Sequence, residues 1–574
     1  MRSHWYGVTA SLVGLTLTAA LLLMLAGPSE ARPTAPTPTP GPVAGYMDHL
    51  PLITNGAFLG KSNLPAQGDL RDYTSYQVMN LAKSPGAIAH IRVDYYTSNG
   101  VLVYSAILPD LAPLTAQTVA QKTEAGLPEG VYSAVLTSDQ PITALVTEAL
   151  GDPAVPGPTM SAPLSMYEGV TLGSSSLALP ALESNWFDTD SLVRVQNIGG
   201  GPATVTVQYE AAWVGGVRAG QVNIPPMTYT LPRYAAVTID QAVLGATLAA
   251  LSGPYAGRFL GGALITSDQP LAAIVNEVNL ASRRRAAYTA LGEFEQGTAL
   301  FAPLALVGSD LGDTAMQVMN THLDRSLDVT IEYTAGAGSR LLDGSTGEAI
   351  THTVSFPLGP GEVMLRDASV AGLGDLRSVF SRFQGTARIA SSQGNLAARV
   401  LQTQGPNAVG QRPMGAYTPA VERSMSSEAF APLIQAGFGS NATVLTCGNA
   451  SSQPAEVVVE YTSGAASTVP YVSAQYRHVI PPRSHIIIDE RVLNNPAADI
   501  HRTTSPWYRD GRPLRFSGSA WLFAAQRRIA CVVGDYADSL AYDNLGVYTT
   551  WPGQALYDDY RVFAPLFEHA GPLR

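Results

Sequence analysis

The chain reads as all-β: four tandem β-sandwich repeats of about 125 residues behind an N-terminal export segment and a Pro/Thr-rich linker. Three observations predict this. A Pro-containing apolar motif returns as Leu50-Pro51-Leu52, Leu179-Pro180-Ala181-Leu182, Phe301-Ala302-Pro303-Leu304, Phe430-Ala431-Pro432-Leu433 and Phe563-Ala564-Pro565-Leu566. Between successive copies an Asn follows a short apolar stretch, at Asn80, Asn197, Asn320 and Asn449. Each Asn leads through a polar or Gly-rich turn into an alternating run ending in Tyr: Ile91/Val93/Tyr95, Val205/Val207/Tyr209, Val329/Ile331/Tyr333 and Val457/Val459/Tyr461. Period-two alternation marks a strand with one face in a core and the other in water.

The elements follow in chain order. Residues 1–31 are a signal peptide or an uncleaved signal anchor. Arg2 supplies the positive start, Val8 to Gly27 the apolar run, and Ser29-Glu30-Ala31 a candidate cleavage site. No Cys follows the run, which excludes a lipoprotein anchor. Residues 32–45 alternate Pro and Thr, a composition that favours an extended spacer and cannot pack a core. The repeats are then predicted at 46–165, 166–290, 291–418 and 419–574. A further motif closes each of them. Repeats two to four read Arg-Phe-x-Gly-x-Ala from Arg258, Arg382 and Arg515, and a turn with Gln follows at Gln140, Gln269, Gln393 and Gln526. Apolar residues on both sides of Ser-Asp-Gln-Pro predict a β-hairpin. The fifth Pro-Leu motif is surplus to four units, so 562–567 is a candidate for strand addition to another copy, or else it finishes repeat four.

Val195-Gln196-Asn197-Ile198-Gly199, followed by Ala203-Thr204-Val205-Thr206-Val207 and Tyr209, resembles the immunoglobulin-like modules of bacterial cell-adhesion-related proteins, and so does Pro360-Gly361 before Val363-Met364-Leu365. The resemblance covers about a third of each repeat, and repeats one, three and four lack the Asn-x-Gly step. It implies an Ig-like sandwich in a secreted or cell-surface setting and no particular ligand.

Composition narrows the function classes. A net charge of -11 argues against a nucleic-acid partner, which needs a basic face. The lysines are Lys61, Lys83 and Lys122, so no residue beyond Lys122 can form a Schiff base or an isopeptide staple. Cys447 and Cys531 both fall at predicted core positions of repeat four, Cys447 in the slot of Val78, Val195 and Val318, and Cys531 in that of Leu145, Ile274 and Ala398. In an exported protein such a pair most simply forms a disulfide, the other reading being two buried thiols. The recurring Asn80, Asn197, Asn320 and Asn449 are expected to be structural, satisfying backbone groups in a turn. Asp188 and Asp190 hint at calcium, but no complete Asp-x-Asp-x-Asp-Gly loop is present, and no metal or cofactor is assigned. No nucleophile elbow, zinc-protease motif or phosphate loop occurs.

The expected function is therefore an exported structural or adhesive repeat protein, not an enzyme. The partner is unassigned, a glycan or another copy, and a membrane is met only through an uncleaved N-terminal segment. A carbohydrate-binding array is the first alternative. The six tryptophans do not recur in register, which leaves Trp507 and Trp551 as candidates for one local glycan contact. An enzyme with its site in an insertion is the second, and it requires a polar cleft beside 490–515.

Overall fold

The structure is a computed structural model that describes residues 45–57, 71–151, 162–214, 217–218, 224–244, 257–279, 284–367, 375–404, 413–437, 441–491, 498–537 and 545–552. The expected signal segment, the linker and the strand-addition segment 562–567 lie outside these residues. The fold is all-β with antiparallel sheets. Among the described residues the only helical turns are short 3-10 segments, and no helix is long and apolar enough to cross a membrane.

Eight strands form the first pair of sheets: β1 (Tyr46–Asn55), β2 (Arg71–Asn80), β3 (Ile91–Tyr96), β4 (Leu102–Ile107), β5 (Ala116–Ala120), β6 (Gly130–Ser138), β7 (Ile142–Gly151) and β8 (Ala162–Glu168). One sheet has the order β1-β6-β3-β4 and the other β5-β2-β7-β8. On β3 the alternating sequence is matched by alternating burial, with Ile91, Val93 and Tyr95 inside. Strand pairings in the same order recur from Ser174–Ser184 to Arg284–Thr289, from Ala299–Val307 to Met414–Tyr417, and from Glu428–Ala436 to Leu545–Thr549. The second and third pairs are joined into one larger sheet by a short parallel ladder, Ala212 to Val363 and Trp213 to Met364.

Each pair begins with a Pro-Leu strand, and the motif's role is a bulge. On β1, Pro51 and Leu52 together face the single residue between Tyr132 and Ala134, and register jumps of the same kind fall at Pro180, Pro303 and Pro432. Pro has no N–H to lose from a ladder, so it is tolerated there. The residue after it keeps both backbone groups, and a buried hydroxyl satisfies them. Tyr548 Oη accepts from Leu433 N at 3.3 Å and donates to Leu433 O at 2.6 Å. Tyr167 does the same at Leu52 and Tyr288 at Ala181, while Tyr417 donates to the Leu304 carbonyl. Buried backbone groups left without partners are costly. Tyr548→Phe is therefore expected to lower stability by about 2 kcal/mol, read as a lower denaturant midpoint; an unmoved midpoint would mean that water replaces the hydroxyl.

The expected hairpins are corrected. β6 and β7 flank Ser138-Asp139-Gln140-Pro141, yet β6 pairs with β1 and β3 while β7 pairs with β2 and β8. The turn carries the chain from one sheet to the other, and in the second pair the two arms form one strand, Phe259–Asn279. Two alternating runs around a turn look alike whether they pair edge to edge or pack face to face. The predicted boundary at 165/166 falls inside β8.

The Arg-Phe-x-Gly motif has a packing reason. A Cβ at Gly518 would collide with the Thr462 carbonyl and the Phe516 ring. The first pair lacks the motif and exchanges the two roles: Tyr132 takes the glycine's place in the strand and its ring lies over Gly130.

The described residues all fall in one compact unit, and within it the sheet pairs touch in a closed cycle. β1 packs on the second pair, Ser174–Ser184 on the third, Ala299–Val307 on the fourth, and Glu428–Ala436 on β2 and β7 of the first. The last strands form an inner ring: β8 touches Arg284–Thr289, that strand touches Met414–Tyr417, then comes Leu545–Thr549, which touches β8 again. Cores are completed across the seams. Ile274 and Ala287 belong to the first core, Met414 and Ala416 to the second, Val444, Val532, Leu545 and Val547 to the third, and Leu145 and Met166 to the fourth. At the seam that closes the cycle Phe430 packs with Met79 and Leu81, and Lys83 Nζ lies 2.7 Å from Glu428 Oε1.

Candidate functional site

The sequence-predicted residues are built into the sheets. Asn80, Asn197, Asn320 and Asn449 are fully buried at the ends of strands that are buried on both faces. Each Nδ2 donates to carbonyls of the following turn and of a chain segment more than thirty residues on, as in Asn80 to Ala87 O and Leu111 O at 2.8 and 2.9 Å. Each Oδ1 accepts from the backbone two residues later. All three hydrogen-bonding positions named are spent on backbone, so these side chains tie the turn to the next connection.

Cys447 and Cys531 are joined in a disulfide and lie directly opposite each other on neighbouring strands, with Cα atoms 4.1 Å apart and no exposure. A buried disulfide fits an oxidising, extracytoplasmic setting. The slots that match it in register are Val78–Ala144, Val195–Ala273 and Val318–Ala398. Leu145 and Ile274, expected to face their own cores, are one residue off. A one-residue shift changes the face, and they fill the fourth and first cores instead. The turns after Gln140 and Gln269 are one residue shorter than those after Gln393 and Gln526, so counting from Gln misplaces the register.

Asp190 accepts from Asn185 N at 2.9 Å and Asp313 from Gly308 N at 2.6 Å, so both brace local turns. Among the described residues no group of three or more His, Cys, Asp or Glu is placed to hold a metal ion.

The two candidate tryptophans part company. Trp507 is fully buried and packs edge-on against Phe516, with centroids 4.6 Å apart, so it has no ring face for a sugar. It sits in a turn of the insertion, and tertiary packing draws the indole inside. Trp551 is half-buried and lines an apolar cavity of about 170 Å³ where the connections after all four inner-ring strands converge. Among the described residues its indole N–H has no hydrogen-bond partner. Leu172 and Phe294 stand exposed at the same cavity. Glu168 reaches it too: its carboxylate accepts from Thr549 N at 2.5 Å and Thr289 Oγ1 at 3.2 Å, tying three sheet pairs together, and burial raises its pKa.

A second cavity, of about 450 Å³, lies beside the insertion 490–515, between the third and fourth sheet pairs. Here Arg382 from the third pair faces His478, His485, Arg491 and Arg502 from the fourth. Behind them Asp499, fully buried, accepts from Arg502 at 2.5 Å and Tyr461 Oη at 3.2 Å and lies 2.8 Å from His478 Nε2. Glu490 folds the insertion back by accepting from Asp499, Ile500 and His501 N at 2.6, 2.8 and 3.2 Å. A polar cleft is thus present where the insertion reading required one, and among the described residues its lining includes no Ser, Thr or Cys.

Burial sets the pH response. It pushes the carboxyl of Asp48 up to about 8 and those of Glu490 and Asp535 to about 7. It pushes His49 and His485 down to about 4. A carboxyl protonated in the fold and ionised when unfolded makes folding take up a proton, so its contribution falls as pH rises from the unfolded pKa toward the folded one. The histidines act the other way, and only below about pH 6.5. Between pH 6.5 and 8 stability is therefore expected to fall, by about 2 kcal/mol for Asp48 alone. Asp48→Asn should flatten that slope in urea midpoints taken at both pH values; equal slopes in the two proteins would refute it.

No protein-family model matches the chain, and no curated protein matches it in sequence.

Proposed function

We propose that the four sheet pairs are tandem immunoglobulin-like repeats and that the chain is an exported, non-catalytic structural or adhesive protein of the cell surface or extracellular space. The observation that carries this reading is the cyclic sharing of cores. Every unit lends side chains to a neighbour, which favours a stiff body presenting its connecting loops, and loops on a rigid scaffold are where binding residues concentrate. The matching strand order and the matching Asn and Tyr positions support a repeat origin. The likeness is to the sandwich rather than to the immunoglobulin strand order, in which the first strand lies beside the second; here β1 lies beside β6. The disulfide supports export.

The test is binding of the purified chain to its producing cells and to a glycan array. Saturable binding to cells or matrix without chemical turnover is expected; release of a product from any of those surfaces would overturn the non-catalytic reading. The carbohydrate-binding reading is favoured by one observation, the unpartnered indole of Trp551 beside an apolar cavity. It predicts sugar-specific binding that Trp551→Ala abolishes.

A further inference from the structure

We propose that the cleft between the third and fourth sheet pairs is a binding site for an oxyanion, the carboxylate, sulfate or phosphate of a small ligand. This stands apart from the structural and adhesive reading and does not depend on it.

Three guanidinium groups meet at one cavity, and each is engaged by its own aspartate, Asp310 and Asp489 within the lining and Asp499 behind it. Arg382 Nη2 donates to Asp310 at 2.9 Å and to Gln384 Oε1 at 3.2 Å. Arg491 donates to Asp489 through Nε and Nη2 at 3.0 and 2.8 Å and lies over the Tyr536 ring at 4.7 Å. Arg502 donates to Asp499 and to Ala498 O, at 2.5 and 2.7 Å, and lies over the Tyr476 ring at 5.2 Å. Such bracing fixes the planes of the forks and lowers the entropy lost when a ligand is gripped. It also leaves donors over, since a guanidinium carries five N–H groups and each aspartate engages one or two of its nitrogens.

A second observation points to a missing acceptor. Arg382 Nε, which is always a donor, is buried with no hydrogen-bond partner. His485 lines the same cleft and is only 6 % exposed; its Nδ1 has no partner either, and it adds a second donor in the tautomer that carries the proton there. Unmatched buried donors are costly, and an oxyanion supplies several acceptor lone pairs at once in the planar geometry that arginine forks match. The cleft is assembled by a seam of the cycle: Arg382 comes from one sheet pair, His485, Arg491 and Arg502 from the next, and neither pair holds the site alone.

The experiment is calorimetric titration of the full chain with three probes, inorganic phosphate, sulfate and glucuronate, each against the wild type, Arg382→Gln, Arg491→Gln and Arg477→Gln. Arg477 is an exposed arginine on the strand of His478 that pairs with Glu456 and does not line the cleft. Saturable binding of at least one probe is expected, weakened at least tenfold by Arg382→Gln and by Arg491→Gln and unchanged by Arg477→Gln. The preferred probe identifies the oxyanion, carboxylate, sulfate or phosphate. Thermal midpoints confirm that the variants fold; Arg382 is the safer position, because its partner Asp310 is 79 % exposed. No saturable binding of any probe would overturn the proposal, and so would binding that neither cleft substitution weakens.

Discussion

A chain ended after Ser424 is expected to lose the fold of its third sheet pair as well as its fourth. The third core includes Val444, Val532, Tyr536, Leu545 and Val547, all supplied by the missing part and each no more than 7 % exposed. Burying a large aliphatic or aromatic side chain contributes about 1.5–3 kcal/mol, so the truncation removes on the order of 10 kcal/mol of burial from a unit whose own strands are intact. The fourth core's guests, Leu145 and Met166, are left bare on the first pair. A linear array of independent sandwiches would behave otherwise: the first three units would keep their stability and one cooperative transition would vanish. Circular dichroism and calorimetric unfolding of the truncated and full chains distinguish the two. A third transition surviving at its original midpoint would mean that the shared side chains contribute little.

The second large effect concerns the disulfide. Cys447 and Cys531 are separated by 84 residues and pair where the other three sheet pairs place Val and Ala. The double substitution Cys447→Val with Cys531→Ala thus copies a packing solution this fold already uses three times, and it should fold. Loss of the cross-link restores conformational freedom to the unfolded chain, and a loop of this length corresponds to about 4.5 kcal/mol in the chain-entropy model. Urea midpoints of the oxidised protein, the reduced protein and the double variant measure it. The reduced protein and the double variant should agree to within about 1 kcal/mol, the scatter of volume-conserving core swaps. A double variant as stable as the oxidised wild type would show that the bond is a passenger rather than a staple.

Much of the fold is legible in the sequence because strand patterning is local. The alternating runs at Ile91, Val205, Val329 and Val457, the Pro-Leu strands and the Asn strand ends are read from neighbouring residues, and the structure places strands at all those that fall among the described residues. What hides is the cycle. The strands that end in Asn carry Gln77, Arg194, Gln196, Gln317 and Thr446 between their apolar residues, a face that looks suited to water. These side chains are buried because the first strand of a neighbouring sheet pair lies across them. Arg194 gains a partner there, donating to Pro51 O at 3.2 Å besides its bond to Thr238 Oγ1 of its own sheet pair at 2.7 Å. No local pattern separates a polar face in water from one at a seam. The tyrosine that pins each bulge was within reach, since Tyr167, Tyr288, Tyr417 and Tyr548 stand at similar distances after their Pro-Leu motifs, but its partner is a backbone group that sequence does not display. The two cavities are hidden for the same reason as the cycle, both being assembled from different sheet pairs.

The closed cycle is the central claim, and the scarcity of lysine makes it directly testable. Lys83 is one of three lysines and lies 2.7 Å from Glu428, 345 residues away in sequence. Treating dilute protein with a carbodiimide, which joins an amine and a carboxylate only when they touch, and mapping the products by mass spectrometry should yield a Lys83–Glu428 amide within single chains. Recovery of that cross-link in monomer places the fourth sheet pair against the first. Its absence under conditions that join other contacting pairs, or its appearance only between two chains, would mean that the four sheet pairs do not close on themselves.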